Sequence, residues 1–182
     1  MSQGIIEALR EDHDEVRQMF ARLETATGKQ RRDLFHQFVG ELVRHEVAEE
    51  EILRPVSKRA AGEEIANARI REESQAEELL KEMENLDTDS AEFTAKLATL
   101  RREVERHAEA EETQEFPKVA QHESPERLEQ MGKVYAAAKK AAPTRPHPST
   151  PNTPVANMLA GPFAAVLDRA RDVVRDAMKS AS

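Results

Sequence analysis

The chain has no cysteine, no tryptophan, one tyrosine and only six glycines in 182 residues. Without cysteine it has no disulfide, no thiolate metal site and no thiol nucleophile. No run of 18 or more apolar residues occurs, so no segment reads as a membrane span. Met1-Ser2-Gln3-Gly4 lacks a basic stretch followed by an apolar core, so a secretory signal is not expected and a cytoplasmic location is the default. Basic charge is also short: 27 Lys and Arg stand against 35 Asp and Glu, a net charge of −8. That balance argues against a nucleic-acid partner held through its phosphates.

What is abundant favours helix. Charged residues make up 34% of the chain and hydrophobic ones 38%. Ala, Glu, Leu, Arg and Lys form helices well, and one apolar stripe per helix suffices to build a bundle. The spacing predicts a first helix from about Gly4 to Glu24, with Ile5, Leu9, Val16, Phe20 and Leu23 as its stripe. A second runs from about Gln30 to Ala60, with Pro55 expected to kink it or close its main part. A third runs from Glu63 to Leu86, and a fourth from Ala91 to Val119, interrupted near Pro117. Asp89 with Glu92 resembles a capping box at the start of the fourth. Ser124-Pro125 opens a fifth helix that reaches about Lys140.

The most informative feature is a repeat. His45 begins HEVAEEEILRP, ending at Pro55, and His107 begins HAEAEETQEFP, ending at Pro117. At an offset of 62, His45 matches His107, Glu49 matches Glu111 and Pro55 matches Pro117. The first and third helices align at an offset of 60, which sets His13 against Glu73 and Phe20 against Leu80. Two hairpins related by an approximate two-fold axis make an up-down-up-down four-helix bundle, so the fold class is all-α.

On a helix, residues i and i+4 share a face. His45 with Glu49, and His107 with Glu111, can each aim a nitrogen and an oxygen at one metal. Counting the rise from each turn puts His13 level with His45, and Glu73 level with His107. The candidate ligands are therefore His13, His45, Glu49, Glu73, His107 and Glu111. Glu72 and Glu77 compete with Glu73, Glu112 competes with Glu111, and Glu46 is a possible extra ligand. Imidazole and carboxylate together suit iron, manganese or zinc, and six ligands are too many for one four-coordinate structural zinc. Two metals sharing bridging carboxylates fit the set, with iron the first choice. His36, placed at the surface or core edge, and His122 and His147, placed in loops, have no partner at ligand spacing. Tyr135 is expected to pack the fifth helix.

Those segments resemble the hemerythrin-like (HHE cation-binding) domain over about residues 4–120. The whole chain, with its Pro-rich linker and C-terminal helix, is similar to actinobacterial hemerythrin-like proteins. The resemblance implies an oxo- or hydroxo-bridged di-iron centre in a four-helix bundle. One departure bears on activity. The oxygen-carrying members supply two histidines from the third helix at HxxxH spacing, whereas here that helix has no histidine and offers Glu73 and Glu77. Carboxylate in place of imidazole stabilises ferric iron. The expectation moves from O2 carriage to reaction with H2O2, O2 or NO, with peroxide decomposition and protection from oxidative stress as the leading role. The alternative is a non-enzymatic module that senses O2 or iron, or binds iron.

The composition divides the chain into a bundle with its fifth helix at 1–142, a linker at 143–154 and a tail at 155–182. The linker holds five of the nine prolines, which favours an extended, polyproline-like segment. In the tail, Val155, Leu159, Phe163, Val166, Val174 and Met178 recur at helical spacing opposite Arg171, Asp172 and Arg175. This amphipathic helix is expected to dock on its own bundle, or to form a homodimer by exchange.

Overall fold

Helical spacing puts Ile5, Leu9, Val16, Phe20 and Leu23 on one face of α1 (Ile5–Thr25), and all five are buried. The structure, a computed structural model, describes residues 3–141, 171–176 and 178–179, and among the described residues there is no strand. The remaining helices of the bundle are α2 (Gly28–Ala48), α3 (Arg54–Ala60), α4 (Glu63–Met83), α5 (Ala91–Ala110), α6 (Phe116–His122) and α7 (Pro125–Ala141). α1 packs on α2 and α5, α4 packs on α5, and α3 packs on α4 and α6. This is the expected up-down-up-down bundle, with α7 laid along α1.

Both long helices are interrupted at their prolines, and each interruption takes the form of a widened turn. α2 widens into five π-helical residues, Glu49–Leu53, before α3 continues. α5 does the same at Glu111–Glu115 before α6. A proline inside a helix lacks an N–H, and its ring presses on the preceding turn. The wider turn absorbs that conflict just upstream. The Arg54 N–H bonds to the Glu49 carbonyl, and the Phe116 N–H bonds to the Glu111 carbonyl. Each widened turn thus begins on the glutamate of an HxxxE pair.

The hairpin turns lie at one end of the bundle and are tied together. Gly28 has φ 58°, in the left-handed region open to glycine. Its N–H bonds to both carboxylate oxygens of Asp89 at 2.9 Å. Asp89 is therefore not the cap of α5. Ser90 is, accepting the Phe93 N–H at 3.0 Å. Ser124 caps α7 as expected, accepting the Arg127 N–H. Phe20 and Phe38 meet at 4.6 Å between ring centroids, and Phe35 meets Phe93 edge-on at 4.8 Å. His13 lies two turns from Phe20, about 10 Å along α1. The phenyl core therefore fills the turn end and leaves the middle of the bundle to polar groups.

The linker, residues 155–170 and His147 lie outside the described residues. Residues 171–176 are helical and lie against the same chain's bundle. Val174 is buried in the main core, Arg171 pairs with Glu50 at 3.2 Å and Arg175 pairs with Glu51 at 2.9 Å. This is the self-docked arrangement.

Candidate metal centre

The repeat brings its histidines and glutamates to one level. His13 comes from α1, His45 from α2, Glu73 from α4 and His107 from α5. Glu49 and Glu111 come from the first residues of the π turns. The side chains form two groups in which one donor atom from each residue lies within 4.8 Å of the others. The first is His13, His45, Glu49 and Glu111, and the second is Glu46, Glu49, Glu73 and His107. Glu49 belongs to both. Glu111 also spans them: one oxygen lies 3.4 Å from His13 Nε2 and the other 3.2 Å from His107 Nε2.

The competing glutamates separate cleanly. Glu73 joins the second group, and Glu77 joins neither. Glu72 meets His107 Nδ1 at 3.0 Å, and Glu112 meets His13 Nδ1 at 2.8 Å. Asp12 faces His45 Nδ1 at 3.7 Å. Each of the three imidazoles thus turns Nδ1 toward a carboxylate. That contact sets ring orientation and leaves Nε2 to point inward, as metal-ligating histidines require. The arrangement follows the repeat: Asp12 and Glu72 stand 60 residues apart, and each supports the histidine of its own hairpin. His36 is only half-buried and in neither group. His122 ends α6 instead of lying in a loop, and pairs with Glu123 at 3.1 Å.

Several participants had no signal at ligand spacing. Tyr135 donates its hydroxyl to Asp12, and Lys139, one turn further along α7, also binds Asp12. Tyr135 therefore packs α7, as expected, and also reaches the carboxylate beside His45. Arg54, only 3% exposed, binds Glu73 through Nη2 and Glu115 through Nη1 at 2.9 Å. The same Nη2 lies 3.5 Å from Glu111 and 3.9 Å from Glu49. Phe116 stacks on His13 at 5.8 Å. The i,i+4 pair Tyr135 and Lys139 was a readable clue. Nothing in the sequence marked Arg54.

The electrostatics are those of an acidic cluster short of cations. Burial pushes the Glu49 carboxyl well above the usual range, and nearby Glu111 adds to it. Burial raises Glu46 to about 8. Burial opposes ionisation of Glu111 too, but His107 and His13 outweigh it and hold Glu111 well below the usual range. Asp12 is buried yet sits at about 2, because His45, Lys139 and Tyr135 overcome the burial.

The donor atoms fit a metal. Among the described residues, His13 Nε2, His107 Nε2, Glu46 Oε2 and both oxygens of Glu49 and of Glu111 are buried without a hydrogen-bond partner. Buried polar atoms left unpaired are costly, and buried carboxylates more so. Mixed imidazole and carboxylate donors suit iron, manganese or zinc. A cleft lined by His13, His45, Glu46, His107, Arg17 and Glu105 leads to the cluster.

Comparison with known proteins agrees. The family described as Hemerythrin HHE cation binding domain matches residues 4–119. An uncharacterized hemerythrin-like protein of Schizosaccharomyces pombe is 30% identical over 174 residues, covering 93% of this chain and 86% of that protein. A DNA nickase of Nostoc is 28% identical over 137 residues, or 75% of this chain, and the chain spans 39% of that protein's length. A crystal structure of a hemerythrin HHE cation binding domain-containing protein from Mycobacterium kansasii superposes with a TM-score of 0.73, covering 92% of this chain and 99% of that one, at 18% identity. The paired HxxxE segments, the helical bundle and the family match agree, and the chain belongs to the hemerythrin HHE cation-binding family, a helical metal-binding module.

Proposed function

We propose that the chain holds two iron ions, with Glu49 and Glu111 as bridging ligands and His13, His45, Glu73 and His107 as terminal ones, and that it decomposes peroxide in the cytoplasm. The observation that carries this is the pair of four-residue groups sharing Glu49, with His13 Nε2, His107 Nε2 and both oxygens of Glu49 and of Glu111 unpaired. Glu46 would border the second ion. An iron pair in such a ligand set supplies redox chemistry toward H2O2, O2 and NO. The chain's own groups do the rest. Asp12, Glu72 and Glu112 hold the imidazoles in place, while Val104, Leu42 and Val16 line the cleft and restrict it to small molecules. Peroxide decomposition needs no outside reductant: one H2O2 is reduced to two waters by the two electrons and two protons that a second gives up in becoming O2. The carboxylate of Glu73, where an oxygen carrier has imidazole, favours the ferric state.

The test is elemental analysis with an optical spectrum of the purified protein, followed by peroxide consumption. About two irons per chain, near-ultraviolet charge-transfer absorption and loss of peroxide turnover in His107→Ala are expected. Stoichiometric zinc, or a stable reversible O2 adduct without peroxide turnover, would overturn it.

One observation favours a second reading, a non-enzymatic sensor. Arg171 and Arg175 hold Glu50 and Glu51, immediately after the bridging Glu49. Occupancy of the centre would then change how the tail docks, within one chain or between two in an exchanged homodimer. Sedimentation with and without metal separates these cases.

A further inference from the structure

The two halves of the bundle are alike in sequence but not in charge. Arg54 precedes Pro55, and its counterpart at an offset of 62 is Phe116, preceding Pro117. Each meets a candidate ligand from the other hairpin: Phe116 stacks on His13, and Arg54 grips Glu73, the counterpart of His13. A phenyl ring against imidazole does not compete with a metal. A guanidinium against a carboxylate does, because it already occupies one of the two oxygens open to a metal. It also leaves a fixed positive charge beside the second position. Arg54 cannot shed that charge by deprotonating.

Resting on the two-metal reading above, we infer that the positions are unequal and fill in order, the His13–His45–Glu49–Glu111 position first and the Glu46–Glu49–Glu73–His107 position second, because Arg54 serves as a built-in counter-ion on the second side. Before metal arrives, Arg54 lies within 4 Å of four carboxylates, Glu49, Glu73, Glu111 and Glu115. It partly neutralises acids that would otherwise repel one another in the core, so the bundle folds before it is loaded. The first metal would meet two imidazoles and two carboxylates, Glu111 and Glu49, which Arg54 approaches only at 3.5 and 3.9 Å. The second must share Glu73 with Arg54 and approach its charge. At these distances inside a protein a unit charge changes affinity by at least about tenfold.

The experiment is a titration of the metal-free full-length protein with Co2+ under anaerobic conditions, followed by calorimetry and by visible ligand-field absorption. Two steps are expected, separated by at least about tenfold. Glu73→Gln should weaken or remove the weaker step and leave the tighter one, whereas His45→Ala should remove the tighter one. Arg54→Gln should narrow the separation, and Arg54→Lys, which keeps the charge, should preserve it. Mutual repulsion of the two metals remains in every variant, so the change on Arg54→Gln isolates the arginine. Equal steps in the unaltered protein, loss of the tighter step in Glu73→Gln, or an unchanged separation in Arg54→Gln would overturn the inference. Should Arg54→Gln not fold without metal, the Glu73→Gln and His45→Ala titrations still decide the order. A total of one Co2+ or none would instead sink the two-metal reading itself.

Discussion

Tyr135 donates its hydroxyl to the Asp12 carboxylate, joining the fifth helix to the first beside a candidate metal ligand. Tyr135 is buried, and Asp12 faces His45 Nδ1 at 3.7 Å. The chain Tyr135–Asp12–His45 makes α7 part of the support of the centre. Tyr135→Phe keeps the ring and removes one hydrogen bond to a buried charge. It should cost about 1–3 kcal/mol in denaturant unfolding and loosen metal retention at the His45 side. Lys139→Ala should cost less, since Lys139 is partly exposed. An unchanged unfolding midpoint and metal content in Tyr135→Phe would show that Lys139 alone holds Asp12.

The bundle was legible because its information is periodic. Apolar stripes and the HxxxE repeat place α1, α2, α4 and α5 and bring His13, His45, Glu49, Glu73, His107 and Glu111 to one level. The π turns were not legible, because a proline announces a conflict in the helix without saying how the backbone resolves it. Glu73 and Glu111 could not be told from Glu72 and Glu112 on spacing alone: neighbours on a helix differ by about 100° of rotation, less than the uncertainty in facing. The outer residues take the histidine Nδ1 atoms and the inner ones face the cluster. Arg54 was invisible because a buried arginine reads as a surface one until its carboxylates are placed by the fold.

Two glycines in helices make opposite predictions. At Gly132 in α7, a Cβ would collide with the Gln3 carbonyl and lie 2.9 Å from the Gly4 carbonyl carbon and 3.0 Å from Ile5 N. These are backbone atoms and cannot swing aside. Gly132→Ala should push α7 off the start of α1 and cost about 1–3 kcal/mol. Gly40 lies inside α2 with nothing within 4 Å of the added methyl. Gly40→Ala should stabilise by about 0.5–1 kcal/mol through helix propensity. Thermal melts of the two variants should therefore move in opposite directions, and a neutral Gly132→Ala would mean the α1–α7 contact is looser than drawn.

The metal-free protein should lose stability as pH rises. Burial lifts Glu46 to about 8 in the folded chain, and lifts Glu49 as well. His107 is also raised, since Glu111 and Glu72 outweigh its burial. A group whose folded value lies above its unfolded one contributes stability below the unfolded value, and that contribution is lost as pH climbs through the folded value. For Glu46 the window runs from about 4.5 to about 8. The melting temperature without metal should fall by several degrees across it. Metal binding displaces those protons, so the loaded protein should be flatter over the same range, and loading should release protons into the buffer. A metal-free protein that grows more stable toward pH 8 would contradict the placement of Glu46 inside the cluster.

The tail contact has its own logic in the repeat. Glu112 supports His13 through Nδ1, and its counterpart at an offset of 62 is Glu50. The imidazole that Glu50 would support is replaced by Glu73, so Glu50 is left to pair with Arg171 of the tail. The Arg171–Glu50 and Arg175–Glu51 pairs are solvent-accessible, so Arg171→Ala and Arg175→Ala should each cost under about 1 kcal/mol and matter less in high salt. Val174 holds the tail instead: it is 3% exposed and packed in the core. Val174→Asp places a charge in that apolar contact and should release the tail. Limited proteolysis should then remove the C-terminal segment quickly, while the unaltered chain resists. Metal content should persist in Val174→Asp, because Glu49 and Glu111 are positioned by the prolines and π turns of the bundle itself. If metal is lost together with tail docking, the Glu49–Leu53 turn depends on the tail, and residues 171–179 belong to the architecture of the centre.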